Sequence, residues 1–272
     1  MPELPEVEFC FQHLTRWLDG RRIVSGWAHD GAPLREISAL DFQTMIKGRR
    51  VEGLHRHGKQ IFAYLSGSHT LWLHLGMTGK WVQAHSQERR RWCRVALELD
   101  EGPRLEFVDP RKFGRIKLLP TVALPEAISA GGLGPDALTV CESGSALRDR
   151  LNLTRRPIKT ALLDQHRLAG VGNIYAAEAL FDAQIDPRRP AVDLSNQEYN
   201  VLAASLRHAM VISIERELGG EIKYLHEGKP KNPFLVYGRE GEPCPRCTTP
   251  IRRMTQSGRS TFYCAPCQHV SV

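Results

Sequence analysis

The first six residues of the chain, Met1-Pro2-Glu3-Leu4-Pro5-Glu6, combine types that could carry out imine chemistry. Once Met1 is removed, Pro2 carries a free secondary amine, and its addition to a sugar aldehyde carbon gives an iminium ion. That ion has no N–H to lose, so it stays cationic and acts as an electron sink. Glu3 and Glu6 supply carboxylates for proton transfer. The same residues also fit an ordinary helix start, with proline in the first turn and acids near the positive end of the helix dipole.

Four of the seven cysteines form two C-x-x-C pairs near the C-terminus, Cys244 with Cys247 and Cys264 with Cys267. This spacing predicts a four-thiolate site for one zinc ion, and the zinc is structural because no coordination position is left for water. Residues 251–254 and 260–263 read as two short strands joined at 256–259, with Arg259 at the tip. A redox pair is the alternative interpretation of these thiols.

A loop with two glycines, Gly170 and Gly172, precedes Asn173 at the start of a predicted helix. Backbone N–H groups at such a helix start can face a phosphate, which the helix dipole also attracts. A plain helical hairpin with a glycine turn fits the spacing equally well.

Composition narrows the class of protein. The chain has 272 residues, a net charge of +7, 42% hydrophobic residues and 25% charged residues. These values describe a globular protein whose positive charge favours a polyanionic partner, most simply nucleic acid. No apolar run reaches the length of a membrane span, and the N-terminus lacks a signal-peptide pattern. An odd cysteine count with a paired cluster fits a reducing compartment, so we expect the cytoplasm.

The periodicity predicts an α+β multidomain fold. Apolar residues three or four apart over 3–19 predict an amphipathic helix that ends at Gly20. Short alternating runs follow over 22–119 and predict a β-sandwich, after which the chain becomes helical, with a capping box at Ser195 and Glu198. The expected domains are residues 1–120, a β-sandwich; 121–135, a hinge; 136–235, a helical domain; and 236–272, the cysteine hairpin.

The N-terminal segment, the helices around residues 171–175 and the cysteine hairpin occur together, and in this combination the chain resembles the bacterial formamidopyrimidine-DNA glycosylase family, relatives of endonuclease VIII. Further matching motifs follow in the family's order at residues 57–59, 74–79, 109–114 and 236–241. The resemblance therefore covers the full length of the chain. It implies that residues 1–120 are the catalytic domain, 136–235 a helix-two-turns-helix DNA-binding domain and 236–272 a zinc finger.

The resemblance implies a monomeric bifunctional enzyme of base excision repair that needs one structural Zn²⁺, no obligate protein partner and no membrane. It excises oxidised purines from damaged double-stranded DNA and then nicks the abasic strand by β,δ-elimination. Pro2 matches the nucleophile and Glu3 the acid. The other catalytic positions are Glu6, Lys59 and Arg259, and the other DNA-binding positions are His74, Lys159, Asn173 and Tyr237. Met77, Arg111 and Phe113 match a wedge that fills the gap left by a flipped-out base.

Alternatives remain open from the sequence. An endonuclease VIII-like glycosylase for oxidised pyrimidines, a zinc-containing DNA-binding relative without catalysis and a zinc-stabilised structural protein share parts of the pattern. The segment 219–234 is shorter than the family usually has, and Glu221 replaces a small hydroxyl residue. We therefore expect formamidopyrimidines to be better substrates than 8-oxoguanine.

Overall fold

The structure, a computed structural model, describes residues 2–217 and 232–268. Met1 lies outside this part of the chain. So does most of the segment behind the predicted base preference, of which only residues 232–234 are described. The chain divides into two compact units, Met1–Gly131 with Glu217–Tyr224, and Gly132–Arg216 with Leu225–Val272.

The N-terminal unit is a β-sandwich with helices. Its helices are α1 (Leu4–Leu18), α2 (Ala39–Ile46) and α3 (Leu124–Ala130). Its strands are β1 (Ile23–Ala28), β2 (Val51–His57), β3 (Gln60–Leu65), β4 (His69–His74), β5 (Lys80–Ala84), β6 (Cys93–Leu99), β7 (Arg104–Val108) and β8 (Arg115–Pro120). They form two four-stranded antiparallel sheets with the orders β1-β6-β7-β5 and β2-β3-β4-β8.

One apolar core joins α1 to both sheets. The helix presents Val7, Cys10, Leu14 and Leu18 to this core because these positions recur every three or four residues along one face. Both sheets contribute alternate buried residues such as Ile61 and Leu105. This burial fixes the helix, and with it the N-terminal segment, against the sandwich.

The C-terminal unit is helical and ends in a two-stranded hairpin. Its helices are α4 (Ala137–Val140), α5 (Gly144–Leu151), α6 (Ile158–Leu162), α7 (Asn173–Asp182) and α8 (Asn196–Glu217), and its strands are β9 (Arg252–Gln256) and β10 (Arg259–Tyr263). The predicted capping box before α8 is confirmed. Glu198 N donates to Ser195 Oγ (3.2 Å) and Ser195 N to Glu198 Oε2 (2.8 Å). In α7 every residue from Ile174 to Phe181 is buried.

At three places the structure adds detail to the local expectations from the sequence. Within 22–119, Ala39–Ile46 is a helix, capped by Ser38 Oγ, which accepts from Asp41 N. The expected hinge 121–135 contains a 3-10 turn (Thr121–Ala123) and α3, and the boundary between the units follows Gly131. Arg259 is the first residue of β10; the turn itself is Ser257-Gly258, and both residues have positive φ.

Candidate active site

The N-terminal segment is held as a folded helix start. Pro2 and Glu3 are buried, and Glu3 is 1% exposed. Glu3 N donates to Glu6 Oε2 (2.8 Å), so the Glu6 carboxylate caps the first turn of α1. This contact fixes the backbone of Glu3 and gives Glu6 a positioning contact in addition to the role in proton transfer expected from the sequence.

Arg56 ties the turn that carries Lys59 to α1. Arg56 Nε forms an ion pair with Glu8 on α1, and Arg56 Nη1 donates to Gly58 O (3.0 Å). Gly58 has φ of +55°, a conformation that suits glycine, in the turn between β2 and β3. The half-buried Lys59 follows it. The sequence reasoning did not find Arg56, because its partner Glu8 lies 48 residues away.

His74 ends β4, opposite Gln60 in the register. Burial, followed by the positive charges of Arg115 and Lys59, lowers the pKa of His74 from 6.5 to about 4. The ring is therefore neutral at pH 7. Its Nδ1 accepts from Gly76 N (3.0 Å), so the proton lies on Nε2, which is a neutral donor of the kind that can bind a phosphate oxygen.

The lowered pKa of His74 makes an acid-sensitive contribution to stability. As the pH falls, His74 takes up a proton in the unfolded chain before it does so in the folded chain. The contribution to stability is therefore complete above pH 6.5 and is lost as the pH falls towards 4. The shift from 6.5 to about 4 corresponds to about 3 kcal/mol. We expect His74→Asn, which keeps an acceptor for Gly76 N, to flatten the pH dependence of the free energy of unfolding between pH 5 and 7. Urea titrations at several pH values measure this free energy. The same pH dependence in His74→Asn as in the wild type would contradict this role of His74. The exposed His85→Asn is the control.

Two loops that carry the predicted wedge residues pack closely against each other at Gly76. The first is the Met77 turn (residues 75–79), and the second is the wedge loop (residues 109–114). Gly76 has φ of +67°, and a Cβ there would lie 2.3 Å from the carbonyl carbon of Phe113. A larger residue at position 76 would therefore force the two loops apart.

The buried Asp109 organises the wedge loop. Its carboxylate accepts hydrogen bonds from Thr78 Oγ1 (2.6 Å), Arg111 N (3.2 Å) and Gly114 N (2.8 Å). The loop then exposes Arg111 and Phe113, with the Arg111 guanidinium 4.9 Å from the centroid of the Phe113 ring, which is 49% exposed. Solvent-exposed aromatic and cationic groups on a rigid loop fit insertion into a base stack better than a role in the core.

In the C-terminal unit, Lys159 and Asn173 converge on one carbonyl of the cysteine hairpin. Lys159 Nζ donates to Ser260 O (3.2 Å) and Thr261 Oγ1 (2.8 Å), and Asn173 Nδ2 donates to Ser260 O (2.9 Å). Lys159 is 0% exposed. Its ammonium lies against β10, and the phosphate contact of Lys159 stays a prediction. Lys159 holds the strand that begins with the exposed Arg259.

The salt dependence of DNA binding distinguishes a phosphate contact of Lys159 from a purely structural role. Lys159→Met keeps the volume but loses the hydrogen bonds to β10, so we expect about 1–3 kcal/mol lower stability and weaker DNA binding. If Lys159 acts only by holding β10, the slope of log affinity against log salt should stay as in the wild type. Arg259→Ala is the matched comparison and should reduce that slope by about one. An equal reduction of the slope in Lys159→Met would show that Lys159 contacts a DNA phosphate directly.

Tyr237 is positioned by an acid that the sequence reasoning missed. The carboxylate of Glu178 accepts the backbone N–H groups of Leu235 (2.7 Å), Val236 (2.9 Å) and Tyr237 (2.9 Å). Burial raises the pKa of Glu178 above its usual range. The sequence does contain a signal for Glu178, because a lone carboxylate within the apolar run of α7 requires hydrogen-bond partners.

The four cysteines fit one metal ion. Their Sγ atoms lie within 4.8 Å of one another, with 3.9 Å between Cys244 and Cys267 and 3.4 Å between Cys247 and Cys264. Tetrahedral zinc with bonds of about 2.3 Å needs sulfur atoms roughly 3.8 Å apart. All four coordination positions are taken by thiolates, so the Zn²⁺ is structural. The Arg246 guanidinium donates to Phe181 O (2.9 Å) and Asp182 Oδ1 (2.8 Å) at the end of α7, which fixes the site to the helix.

No described helix is both long and apolar enough to cross a lipid bilayer.

Comparison with known proteins assigns the family. Three family models match: the formamidopyrimidine-DNA glycosylase N-terminal domain at residues 1–116, the formamidopyrimidine-DNA glycosylase H2TH domain at 133–223, and a zinc finger found in FPG and IleRS at 241–270. A formamidopyrimidine-DNA glycosylase from Chloroflexus aurantiacus is 40% identical over 274 residues, covering 98% of each chain.

Solved structures agree with this assignment. The crystal structure of the MutM (Fpg) protein from Thermus thermophilus has a TM-score of 0.81 and 36% identity, covering 98% of each chain. MutM in complex with DNA containing carbocyclic 8-oxo-G has a TM-score of 0.86 and 30% identity, covering 99% of this chain and 100% of that chain. Sequence and fold match over nearly the whole length, and we conclude that the chain belongs to the formamidopyrimidine-DNA glycosylase family.

Proposed function

We propose that this protein is a DNA glycosylase and AP lyase of base excision repair that removes oxidised purines from duplex DNA. The observation that carries the proposal is the buried Glu3 directly after Pro2, held by the Glu6 cap at the start of α1. Glu3 and Glu6 cap the first turn of α1 reciprocally, as at many helix starts. Such a cap does not need a buried carboxylate directly after a potential secondary amine, and burying a carboxylate costs free energy. DNA binding alone does not require this arrangement either.

The proposed reaction begins at Pro2 after removal of Met1. The nitrogen lone pair of Pro2 bonds to C1′ of the flipped-out nucleotide while the bond from C1′ to the damaged base breaks. The base leaves with that electron pair and takes up the proton that the Pro2 ammonium loses, which restores a lone pair on the Pro2 nitrogen. Protonated Glu3 donates to O4′, the C1′–O4′ bond opens, and C1′ and the Pro2 nitrogen become an iminium ion.

Strand cleavage follows from the acidity that the iminium gives to the sugar. Loss of the C2′ proton sends an electron pair into the iminium, and the 3′ phosphate leaves. Loss of a further proton expels the 5′ phosphate in the same manner, so that the gap is flanked by phosphates on both sides. Addition of water to the remaining iminium releases the sugar fragment and frees the Pro2 amine.

DNA positioning is assigned to the remaining site residues. We place Lys59, His74, Asn173 and Arg259 on phosphates, where they fix register and make affinity fall with salt. Met77 and Phe113 fill the gap in the base stack, and Arg111 faces the orphaned base. Tyr237 is assigned to the DNA-binding surface of the C-terminal unit. Glu6 supports Glu3 through its cap, and Lys159 supports β10.

The oxidised-purine class is proposed over oxidised pyrimidines because the motif at residues 109–114 lies within the match to the formamidopyrimidine-DNA glycosylase N-terminal domain. The solved relatives include MutM bound to DNA containing carbocyclic 8-oxo-G. The preference for formamidopyrimidines over 8-oxoguanine stays a prediction, since most of the segment 219–234 lies outside the described residues. We further propose a monomer that acts on DNA in the cytoplasm.

Single-turnover assays on defined duplexes test the function. We expect excision of formamidopyrimidine-guanine and 8-oxoguanine, slow reaction on dihydrothymine, and products with phosphates on both sides of the gap. Faster excision of dihydrothymine would favour the endonuclease VIII-like alternative. Tight binding of lesion DNA without any cleavage by protein that lacks Met1 would leave only a DNA-binding function.

A further inference from the structure

Gln256 flanks the turn of the cysteine hairpin and ties it to the body of the C-terminal unit. It is the last residue of β9 and pairs with Arg259, the first residue of β10, across the two-residue turn at 257–258. The half-buried side chain makes two hydrogen bonds: Nε2 donates to Pro187 O (3.1 Å), and Oε1 accepts from Thr261 Oγ1 (2.8 Å). None of the roles assigned above uses this amide.

The amide of Gln256 extends a chain of hydrogen bonds that begins at the ammonium of Lys159. Lys159 Nζ donates to Thr261 Oγ1, so the Thr261 hydroxyl proton is left to donate to Gln256 Oε1. Lys159 and Thr261 are both 0% exposed. In such a buried network each hydrogen bond polarises the next, so the orientation of every member is fixed. The Gln256 Nε2 therefore faces the Pro187 carbonyl, which can only accept.

The carbonyl that Gln256 reaches belongs to a well-held turn after α7. The carboxylate of Asp186 is 0% exposed and accepts from Arg188 N (2.7 Å) and Arg188 Nε (2.9 Å). The carbonyl oxygen of Asp186 accepts from Arg189 N (3.1 Å). These contacts fix the backbone on both sides of Pro187, so its carbonyl is a firm attachment point for the hairpin.

The tip of the hairpin needs such an attachment. The turn at 257–258 and Arg259 are exposed, and Lys159 and Asn173 hold β10 only from Ser260 onwards. A two-stranded hairpin is marginally stable by itself in water, so the place of its tip depends on contacts with the rest of the unit. Gln256 supplies this contact from β9, directly opposite Arg259.

We propose that Gln256 is a positioning residue for Arg259. Its two hydrogen bonds set the place and direction of the hairpin tip, so that the Arg259 guanidinium meets a DNA phosphate without a search. Ordering a long side chain on binding costs free energy, and the attachment at Pro187 lowers that cost before DNA arrives. The inference rests on the proposed function, which places Arg259 on a phosphate.

Fluorescence anisotropy with a duplex containing a tetrahydrofuran abasic analogue tests this role. Gln256→Met keeps the length of the side chain but loses both hydrogen bonds, and we expect it to bind about two- to tenfold more weakly. The slope of log affinity against log salt should fall by at most about one, the share of a single phosphate contact. Zinc content by atomic emission should be that of the wild type. Thr255→Val, at the exposed neighbour on the opposite face of β9, is the control and should change none of these quantities.

A double-mutant cycle separates positioning of Arg259 from a general structural role. If Gln256 acts through Arg259, Gln256→Met should add nothing to Arg259→Ala, and the double variant should match Arg259→Ala in affinity and salt slope. Losses that add independently would overturn the inference.

Further outcomes overturn the inference while the wild type binds and excises normally. They are a Gln256→Met variant that binds like the wild type, one that loses zinc or binds more weakly than Arg259→Ala, and an Arg259→Ala variant with unchanged affinity and salt slope. A wild-type protein that neither binds nor excises lesion DNA would instead refute the proposed function, and this inference with it.

Discussion

Glu3→Gln is expected to lower the single-turnover rate of base excision by about a hundredfold or more while leaving DNA affinity near that of wild type. The amide preserves the size of the buried side chain but cannot deliver a proton to O4′, and general acid catalysis contributes about 10²–10⁴ to a rate. Excision kinetics with enzyme in excess measure the effect, and anisotropy with an abasic analogue measures binding.

Glu6→Gln is the matched control for Glu3. The amide oxygen that this substitution introduces can still accept from Glu3 N, so the helix cap is retained and the rate should fall far less than in Glu3→Gln. If both variants are equally slow with normal affinity, Glu6 transfers a proton as well. An excision rate near that of the wild type in Glu3→Gln would show that Glu3 is not the general acid.

Loss of zinc is expected to abolish DNA binding while the N-terminal sandwich stays folded. Structural zinc contributes on the order of 10 kcal/mol to the folding of a small site, so Cys267→Ser should release the hairpin that carries Arg259. All five tryptophans, at positions 17, 27, 72, 81 and 92, belong to the N-terminal unit, so their emission reports on that unit alone.

The control for the zinc variant is Cys141→Ala, a buried cysteine of the same unit outside the metal site. It should keep both zinc and DNA binding. Zinc content by atomic emission, anisotropy and tryptophan emission are measured together. Retained DNA affinity after complete loss of zinc, or a tryptophan spectrum typical of unfolded protein, would contradict this division of roles.

Most of the correct predictions rest on local sequence patterns. The zinc site follows from short cysteine spacings, α1 from one uninterrupted apolar face, and β3 and β7 from alternation between clear turns. The sequence did not predict the helix Ala39–Ile46, because eight residues between strands are too few to show a clear helical period.

Contacts between distant residues explain what the sequence could not predict. Lys159 resembles a surface lysine until Thr261, 102 residues away, supplies the partner that allows its ammonium to be buried. Arg56 becomes a positioning residue only because Glu8 on α1 lies beside β2 in the fold. Periodicity and motif spacing contain no information on such pairs.

Covalent trapping tests the central claim most directly. A preparation shown by intact mass to lack Met1 is mixed with a duplex containing 8-oxoguanine and sodium borohydride, which reduces an iminium to a stable amine. We expect a protein–oligonucleotide adduct attached at Pro2, strongly reduced in Pro2→Gly and absent when Met1 is retained. An adduct-free reaction with the trimmed protein, or an adduct attached at a lysine, would contradict Pro2 as the nucleophile.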